Sequence, residues 1–516
     1  MAVEDKNKYG QYFTPKLVAD FMVSLLDSDK NGKILEPSCG EGVFLDSLLN
    51  AGFENIEGME FDKDCWSNAV HKVTYADYLL QNDMNETYDG IIGNPPYIRW
   101  KNLTNDLKSN LKKSHVWNEY CSSLSDYSTA FIAKAALDLK KNGTLVFITP
   151  EYWLYTYHSQ KLRNLLLELG SVDRIYHFDE APIFEGAIAS LVVFRFKKSK
   201  RLPTTAWKIK GAELYKEECL PHLANGTATE NYDKIELQSF KPNQRWTLEA
   251  EDVANRLNAL ELACANNSLL RDGFETIGNI CDIGNGMVSG LDKAFQIDAT
   301  ELNEAEKSKS IKVAKAKQLD GVEVGDTTTY IFITEKITEE KFKKDFPNFY
   351  KRLLPFKSQL EKRYDYKNGC KYWNWAFLRN YNTFNRDEEK IFIPCKERIG
   401  NKASFRFTIA NPSVFPTQDV TGLVLKKDTL ESIYYVHAFL KLPIVTEWIK
   451  NRGVSRGGVA EFSEAPLSSI PFRTINWNNK NEKAIHNEIV KLSKLNGRNG
   501  KDYNKEISEL FAKLIT

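Results

Sequence analysis

The 516-residue sequence has no apolar run near the roughly 20 residues a membrane-spanning helix needs. Its opening segment, MAVEDKNKYGQYF, lacks the basic-then-apolar pattern of a secretory signal. Eight cysteines are scattered without a spacing pattern. That speaks against a disulfide framework and fits a reducing, cytoplasmic compartment. Seven histidines, among them His115, His158 and His177, show no metal-ligand spacing, and no metal is expected. Internal repeats and low-complexity segments are missing too. So is excess charge: 70 Lys+Arg face 69 Asp+Glu, a formal net of +1. Taken whole, that balance gives no hint of a nucleic-acid partner. What remains is a globular composition, 42% apolar, 27% charged and 12% aromatic. At roughly 100–200 residues per domain, the length suits about two to four domains.

The balance conceals an asymmetry. Residues 1–200 hold 22 Lys+Arg and 27 Asp+Glu, a net of −5, and residues 201–516 carry a net of +6. A difference between halves is a reason to expect two jobs. The patterning changes as well. Over the first 200 residues helix-like and strand-like segments alternate. Residues 16–27 have helical spacing after Pro15, as do 43–50 and 129–140. Residues 33–36, 56–60 and 144–150 read as strands, and 88–97 as a strand leading into a Pro-Pro loop. RIYHF (174–178) and SLVVFRF (190–196) are expected to pair as a terminal antiparallel hairpin. This alternation predicts an α/β fold with a Rossmann-like, doubly wound sheet. Residues 216–250, with KPNQRW at 241–246, are polar and irregular and form the expected linker. Beyond them short strands (327–334, 390–396, 405–409, 422–426) alternate with basic, aromatic stretches, and the tail from about 480 is helical. Two domains follow, 1–240 and a separate mixed α/β domain over 241–516.

The first hundred residues carry the chemistry. Glu36-Pro37-Ser38-Cys39-Gly40-Glu41-Gly42 follows a strand and opens a helix, the turn where doubly wound sheets bind nucleotides. Of the G-x-G-x-x-G that wraps a pyrophosphate, only Gly40-x-Gly42 is present. Gly40 lets backbone approach a ligand closely. An acid in the turn suits a positively charged ligand. S-adenosylmethionine, with its sulfonium and ammonium groups, is one; a tight structural turn is the competing reading. Glu60 lies 18 residues beyond Gly42, near the spacing at which an acid holds ribose hydroxyls. Asp77, in Tyr75-Ala76-Asp77-Tyr78, can accept from an adenine amino group.

Asn94-Pro95-Pro96-Tyr97 is the most specific motif. Two prolines fix φ and remove two N–H donors. The rigid loop that results can accept both protons of one exocyclic –NH2. The Asn94 side-chain oxygen takes one and the Pro95 carbonyl the other. Accepting both draws the nitrogen lone pair out of ring conjugation and makes it nucleophilic. Tyr97 offers a face for stacking.

Taken in order, YGQYFTP, ILEPSCGEG, GMEFD, ADYLL, GNPPY and SDYSTAFIAKA with TLVFITPEYWL resemble a known set. They are similar to the gamma-class adenine-N6 DNA methyltransferases of restriction–modification systems, the Taq-type adenine methylase above all. The resemblance covers residues 9–196 closely. IGNICDIGNGMVSGLDKAF (277–295) looks like the start of that family's target-recognition domain. The resemblance implies a catalytic domain over 1–240 and a target-recognition domain with a helical tail over 241–516. It implies methyl transfer from S-adenosylmethionine to N6 of a flipped-out adenine in a specific DNA sequence. Thr14, Glu36, Pro37, Ser38, Cys39, Gly40, Glu60, Asp77, Tyr78 and Phe131 would contact the cofactor. Asn94, Pro95, Pro96 and Tyr97 would form the catalytic tetrapeptide. Phe184, in Glu180-Ala181-Pro182-Ile183-Phe184, matches the second aromatic against the extruded base, with Phe178 as the alternative. The implied partners are double-stranded DNA and a cognate restriction endonuclease, with no membrane. The enzyme would work in a prokaryotic cytoplasm, as a monomer or a dimer on DNA.

The second half supplies candidate DNA contacts. Arg379, Lys396, Arg398, Lys402 and Arg406 lie among Tyr372, Trp373, Trp375 and Phe377, and RGVSRGG (452–458) adds two arginines. Arginine holds phosphates and reads guanine edges. Residues 98–125, with Trp100, Lys112, Lys113 and Trp117, are either a DNA-facing insertion or ordinary surface. Pro394-Cys395 resembles the nucleophile of cytosine-C5 methyltransferases without its companion motifs, and Cys395 is expected to be structural. Two rival readings stay open. A protein-glutamine N5-methyltransferase also uses NPPY, because an amide –NH2 presents the same chemistry, but it has no need of the long second half. A non-catalytic DNA specificity subunit would need neither NPPY nor the cofactor acids.

Overall fold

A computed structural model of the chain describes residues 12–515 apart from 64–71, 82–85, 99, 180, 185–189, 200–201, 210–216, 238–239, 266–273, 364–368, 401, 457 and 497–500. The start of YGQYFTP, Glu180, and Gly457 of RGVSRGG lie outside the described residues. The chain divides into two compact units, Met1–Ala254 and Asn255–Thr516.

In the first unit, β1 (Ile34–Glu36), β2 (Ile56–Glu60), β3 (Val73–Tyr75), β4 (Tyr88–Gly93) and β5 (Leu139–Pro150) run parallel. β6 (Ser171–Asp179) and β7 (Leu191–Lys197) form the expected antiparallel pair, with β7 set between β5 and β6. Two further strands, β8 (Thr205–Ile209) and β9 (Tyr232–Glu236), extend the sheet past that pair. The order is β3-β2-β1-β4-β5-β7-β6-β8-β9. β9 is short and mostly exposed, so its apolar signal is weak in the sequence.

Alternation along the central strands builds the two layers. Ile91, Leu145 and Phe147 join one apolar cluster, while Ile92, Val146 and Ile148 join another. Successive side chains point to opposite faces, so both faces of the sheet are covered. Helix Lys16–Ser24 adds Val18, Phe21 and Met22 to the second cluster. Helix Tyr127–Asp138 adds Phe131, Ile132 and Ala135 to the first.

Residues 240–250 are not the linker their polarity suggests. Trp246 is 1% exposed, stacks on Phe240 at 4.3 Å and meets Trp153 edge-on at 5.8 Å. The buried Arg163 donates to the carbonyls of Gln244, Trp153 and Thr156. One tryptophan removes enough apolar area from water to bind its polar neighbours to the first unit. The boundary between compact units accordingly falls at 254/255, later than 240/241. Within 100–120 the apolar residues Leu103, Leu111, Val116 and Trp117 are buried, with Trp100 stacked on Trp117 at 5.1 Å, while Lys112 and Lys113 are exposed.

The second unit holds a four-stranded antiparallel sheet ordered Cys281–Asn285, Val420–Leu425, Lys390–Pro394, Thr408–Ala410. Two three-stranded sheets accompany it. Helices Lys480–Leu495 and Asn504–Ile515 form the tail. One of its apolar clusters gathers Tyr330, Phe342, Phe349, Tyr372, Trp373 and Trp375. Three of the four aromatics expected to face DNA are therefore core, and only Phe377 is exposed. Lys402 and Arg406 both pair with the buried Glu397, while their own side chains stay more than a third exposed. Cys395 bonds the Gln418 carbonyl and Thr421, and burial pushes its thiol up, as a structural cysteine requires. Among the described residues no helix is long and apolar enough to cross a membrane. No group of three His, Cys, Asp or Glu that could hold a metal occurs among them.

Candidate active site

Parallel pairing sets the carboxyl ends of β1, β2 and β4 side by side. Glu36 lies opposite Gly58 and Leu35 opposite Ile91, so Glu36, Glu60 and Asn94 leave the sheet at one edge. The turn after β1 is tied to β2 through its backbone. Cys39 N–H donates to the Met59 carbonyl at 2.8 Å, and Gly40 N–H to Glu60 Oε2 at 2.7 Å. Gly40 has φ +49°, and no atom stands within 4 Å of where its Cβ would be. A left-handed residue without a side chain thus leaves bare backbone at the cavity wall.

Three acids line the site, each held differently. Glu36 is 1% exposed. It accepts from the Leu45 N–H at the start of helix Val43–Asn50, while its Oε2 is buried without a partner. Burial first, and the charge of Glu60 second, hold the Glu36 carboxyl well above the usual range. Glu60 is raised by burial against the lowering effect of N–H donors from Asp62 and Gly40. Asp77 is also raised by burial; its oxygens accept from Leu79 N–H at 3.0 Å and Tyr127 Oη at 2.8 Å. Beside it, Tyr78 donates to Asp138, which pairs with Lys134 at 3.2 Å out of solvent. Phe131 packs on Tyr78 and Tyr127 at 5.3 and 5.6 Å.

These residues enclose a cavity of about 250 Å³. Thr14, Glu36, Pro37, Ser38, Cys39, Gly40, Glu60, Asp77, Tyr78 and Phe131 all line it, together with Asn94 and Pro96. Pro95 is buried and not part of the lining.

The Asn94 carboxamide is oriented by the segment before the first helix. Its Nδ2 donates to the Tyr12 carbonyl at 2.9 Å and to Thr14 Oγ1 at 3.2 Å. Its Oδ1 is left buried and unpaired. The Asn94 carbonyl is engaged by Ser38 Oγ at 3.2 Å. Tyr97 is pinned by a bond from Oη to the Ile148 carbonyl at 3.0 Å. Around it stand Tyr12 (5.4 Å between centroids) and Phe184 (6.3 Å), which stack on each other at 5.5 Å. Phe178, the alternative to Phe184, is a fully buried core residue edge-on to Tyr232. Tyr12 and Tyr127 were not singled out by sequence reasoning. Tyr12 sits two residues before Thr14 in YGQYFTP, and Tyr127 lies in SDYSTAF, so both motifs contained the signal.

Residues 39–184 match the Eco57I restriction-modification methylase model. The chain is 42% identical to the Type II methyltransferase M.HindII of Haemophilus influenzae over 495 residues, 94% of this chain and 93% of that one. It is 39% identical to M.HincII, also of Haemophilus influenzae, over 94% and 93% of the two chains. The chain belongs to the Type II methyltransferases of restriction–modification systems. It is thus a DNA methyltransferase, and S-adenosylmethionine is its methyl donor. The Type IIL restriction-modification enzyme MmeI, solved in complex with DNA, shares the fold of this Type II methyltransferase. The TM-score is 0.53 at 14% identity, covering 97% of this chain and 70% of that one.

Proposed function

We propose that this chain methylates N6 of an adenine flipped out of a specific double-stranded DNA sequence. The observation that carries the reading is the Asn94 carboxamide, its nitrogen satisfied twice and its oxygen buried and unpaired. A buried acceptor without a donor is costly until a ligand supplies one. An exocyclic amino group does so, and bonding at Asn94 Oδ1 draws its lone pair away from the ring. Tyr97, Tyr12 and Phe184 offer ring faces to an extruded base. Such stacking is worth roughly 1–3 kcal/mol per base, against a cost of a few kcal/mol for unstacking it.

The cavity suits the methyl donor. Glu36, with its orphaned buried oxygen, calls for a donor of positive charge; Glu60 and Asp77 would hold hydroxyl and amino donors. Bound there, S-adenosylmethionine would supply an electrophilic methyl group. Asn94 then orients the amino nitrogen and the rings exclude water, so positioning accounts for most of the acceleration. A cognate endonuclease would be the natural companion of such an enzyme in a restriction–modification pair.

The test is incubation of purified chain with unmethylated duplex and isotope-labelled S-adenosylmethionine, then mass analysis of the nucleosides. Label in N6-methyladenine supports the reading. Label in a cytosine product, or in protein glutamine, sinks it.

A further inference from the structure

The exposed tip Phe377–Leu378–Arg379 of the second unit has no role in the chemistry above. Phe377 is 45% and Leu378 41% exposed, although aromatics two and four residues earlier are core. The tip is nonetheless held rigidly. Phe377 and Val288 exchange both backbone hydrogen bonds, at 2.9 and 3.1 Å. Trp375, two residues upstream, is buried and donates to the Ile331 carbonyl at 2.7 Å. Downstream, Asn380 adopts φ +53° and donates to the Asn285 carbonyl at 3.0 Å. Arg363 braces the base through the carbonyls of Ser289 (2.7 Å) and Asn374 (3.1 Å). Glycine is required where these parts meet: a Cβ on Gly284 would overlap the Asn380 amide, and one on Gly290 (φ +84°) would crowd Arg363 and Ala376.

A fold that braces a segment from four sides and leaves its apolar side chains in water has a binding surface there. The charge beside it indicates the partner. The Arg379 guanidinium lies over the Phe377 ring at 5.5 Å, and no carboxylate among the described residues pairs with it. Apolar side chains that part base steps, flanked by arginine, are a means of gripping a duplex. We infer that Phe377 and Leu378 form a wedge that inserts at a base step of the DNA substrate, with Arg379 holding an adjacent phosphate. The inference rests on the chain being a DNA methyltransferase, and not on which base it modifies.

Fluorescence anisotropy of the full-length chain tests it on two probes. One is a duplex carrying the modified site, mapped by modified-base sequencing; the other is sheared unmethylated genomic DNA. Phe377→Ala is expected to weaken binding to the site duplex about tenfold, leaving the salt dependence unchanged. Phe377→Trp should bind like the wild type. Arg379→Ala should lower the slope of log affinity against log salt by about one on either probe. Melting temperature and S-adenosylmethionine binding should stay at wild-type values, since these side chains are exposed. Wild-type affinity and salt slope in both alanine variants would overturn the inference. If no modified adenine can be mapped, the genomic probe still reads the Arg379 salt slope, so the two proposals fail separately.

Discussion

Nδ2 of Asn94 donates to the backbone carbonyl of Tyr12, 82 residues away in the chain. That bond and its companion to Thr14 decide which end of the amide is left for a substrate. An amide flipped by 180° would present a donor to an amino group, which has nothing to give it in return. The segment before the first helix therefore sets the polarity of the Asn94 carboxamide.

Asn94→Asp should be more harmful than a near-isosteric change suggests. Its second oxygen would face the Tyr12 carbonyl, so the pair that fixes the side chain becomes repulsive. We expect kcat to fall about 10²–10³-fold, the usual scale for losing one well-aimed polar group at a reacting centre. Binding of S-adenosylmethionine, measured by calorimetry, should stay within threefold.

Thr14→Val removes one of the two acceptors that orient Asn94. About a tenfold loss of kcat is expected, consistent with a bond worth roughly 1–1.5 kcal/mol. Thr14→Ser keeps the hydroxyl and should recover most of the rate. Steady-state kinetics of the two variants, side by side, separate orientation from loss of the methyl group.

If Glu36 holds the cofactor as proposed, cofactor binding should depend on pH. The Glu36 carboxyl is raised well above the ordinary range by burial. A cationic ligand binds the ionised form, so affinity should fall as pH drops through that raised pKa. Below it the loss approaches tenfold per pH unit for one proton. Equilibrium dialysis of S-adenosylmethionine across pH reads the curve. Glu36→Gln should bind more weakly at high pH and lose this component of the pH dependence.

Asp126 caps helix Tyr127–Asp138 through Thr129 N–H while 3% exposed, and burial raises it to about 6. A folded-state pKa above the unfolded one means stability is present at low pH. It is lost as pH rises from about 4 to about 6. The loss is on the order of 3 kcal/mol. Asn can cap the same helix without the charge. Asp126→Asn should therefore melt at a higher temperature than the wild type at pH 8, with the gap closing below pH 4. A gap that persists unchanged at pH 4 would point to packing instead of ionisation.

Much of this is legible in the sequence. β2 and helix Val43–Asn50 occupy the residues the apolar spacing predicts. The ten cofactor candidates share one cavity because eight of them sit in motifs at strand ends, which parallel strands bring together, while Thr14 precedes the first helix and Phe131 lies in helix Tyr127–Asp138. What stayed hidden are relations made across the chain. Tyr127 reaches Asp77 over 50 residues, and nothing in SDYSTAF states that partner. Composition also fails where burial changes over a few positions. Trp373 is 2% exposed and Phe377 45%, yet both lie in one aromatic, basic stretch. Trp246 misleads in the other direction, since the polar residues around it mask a single large anchor.

The tip at 377–379 is secured almost wholly through main-chain atoms: the Val288 bridge, the carbonyls gripped by Arg363 and the Asn285 carbonyl met by Asn380. None of those anchors is the side chain of Phe377, Leu378 or Arg379. The frame therefore places little constraint on what it displays, and these three positions can be exchanged while their mount stays intact. On the inference above, a lineage could change how firmly this surface grips a duplex without rebuilding the mount that holds it.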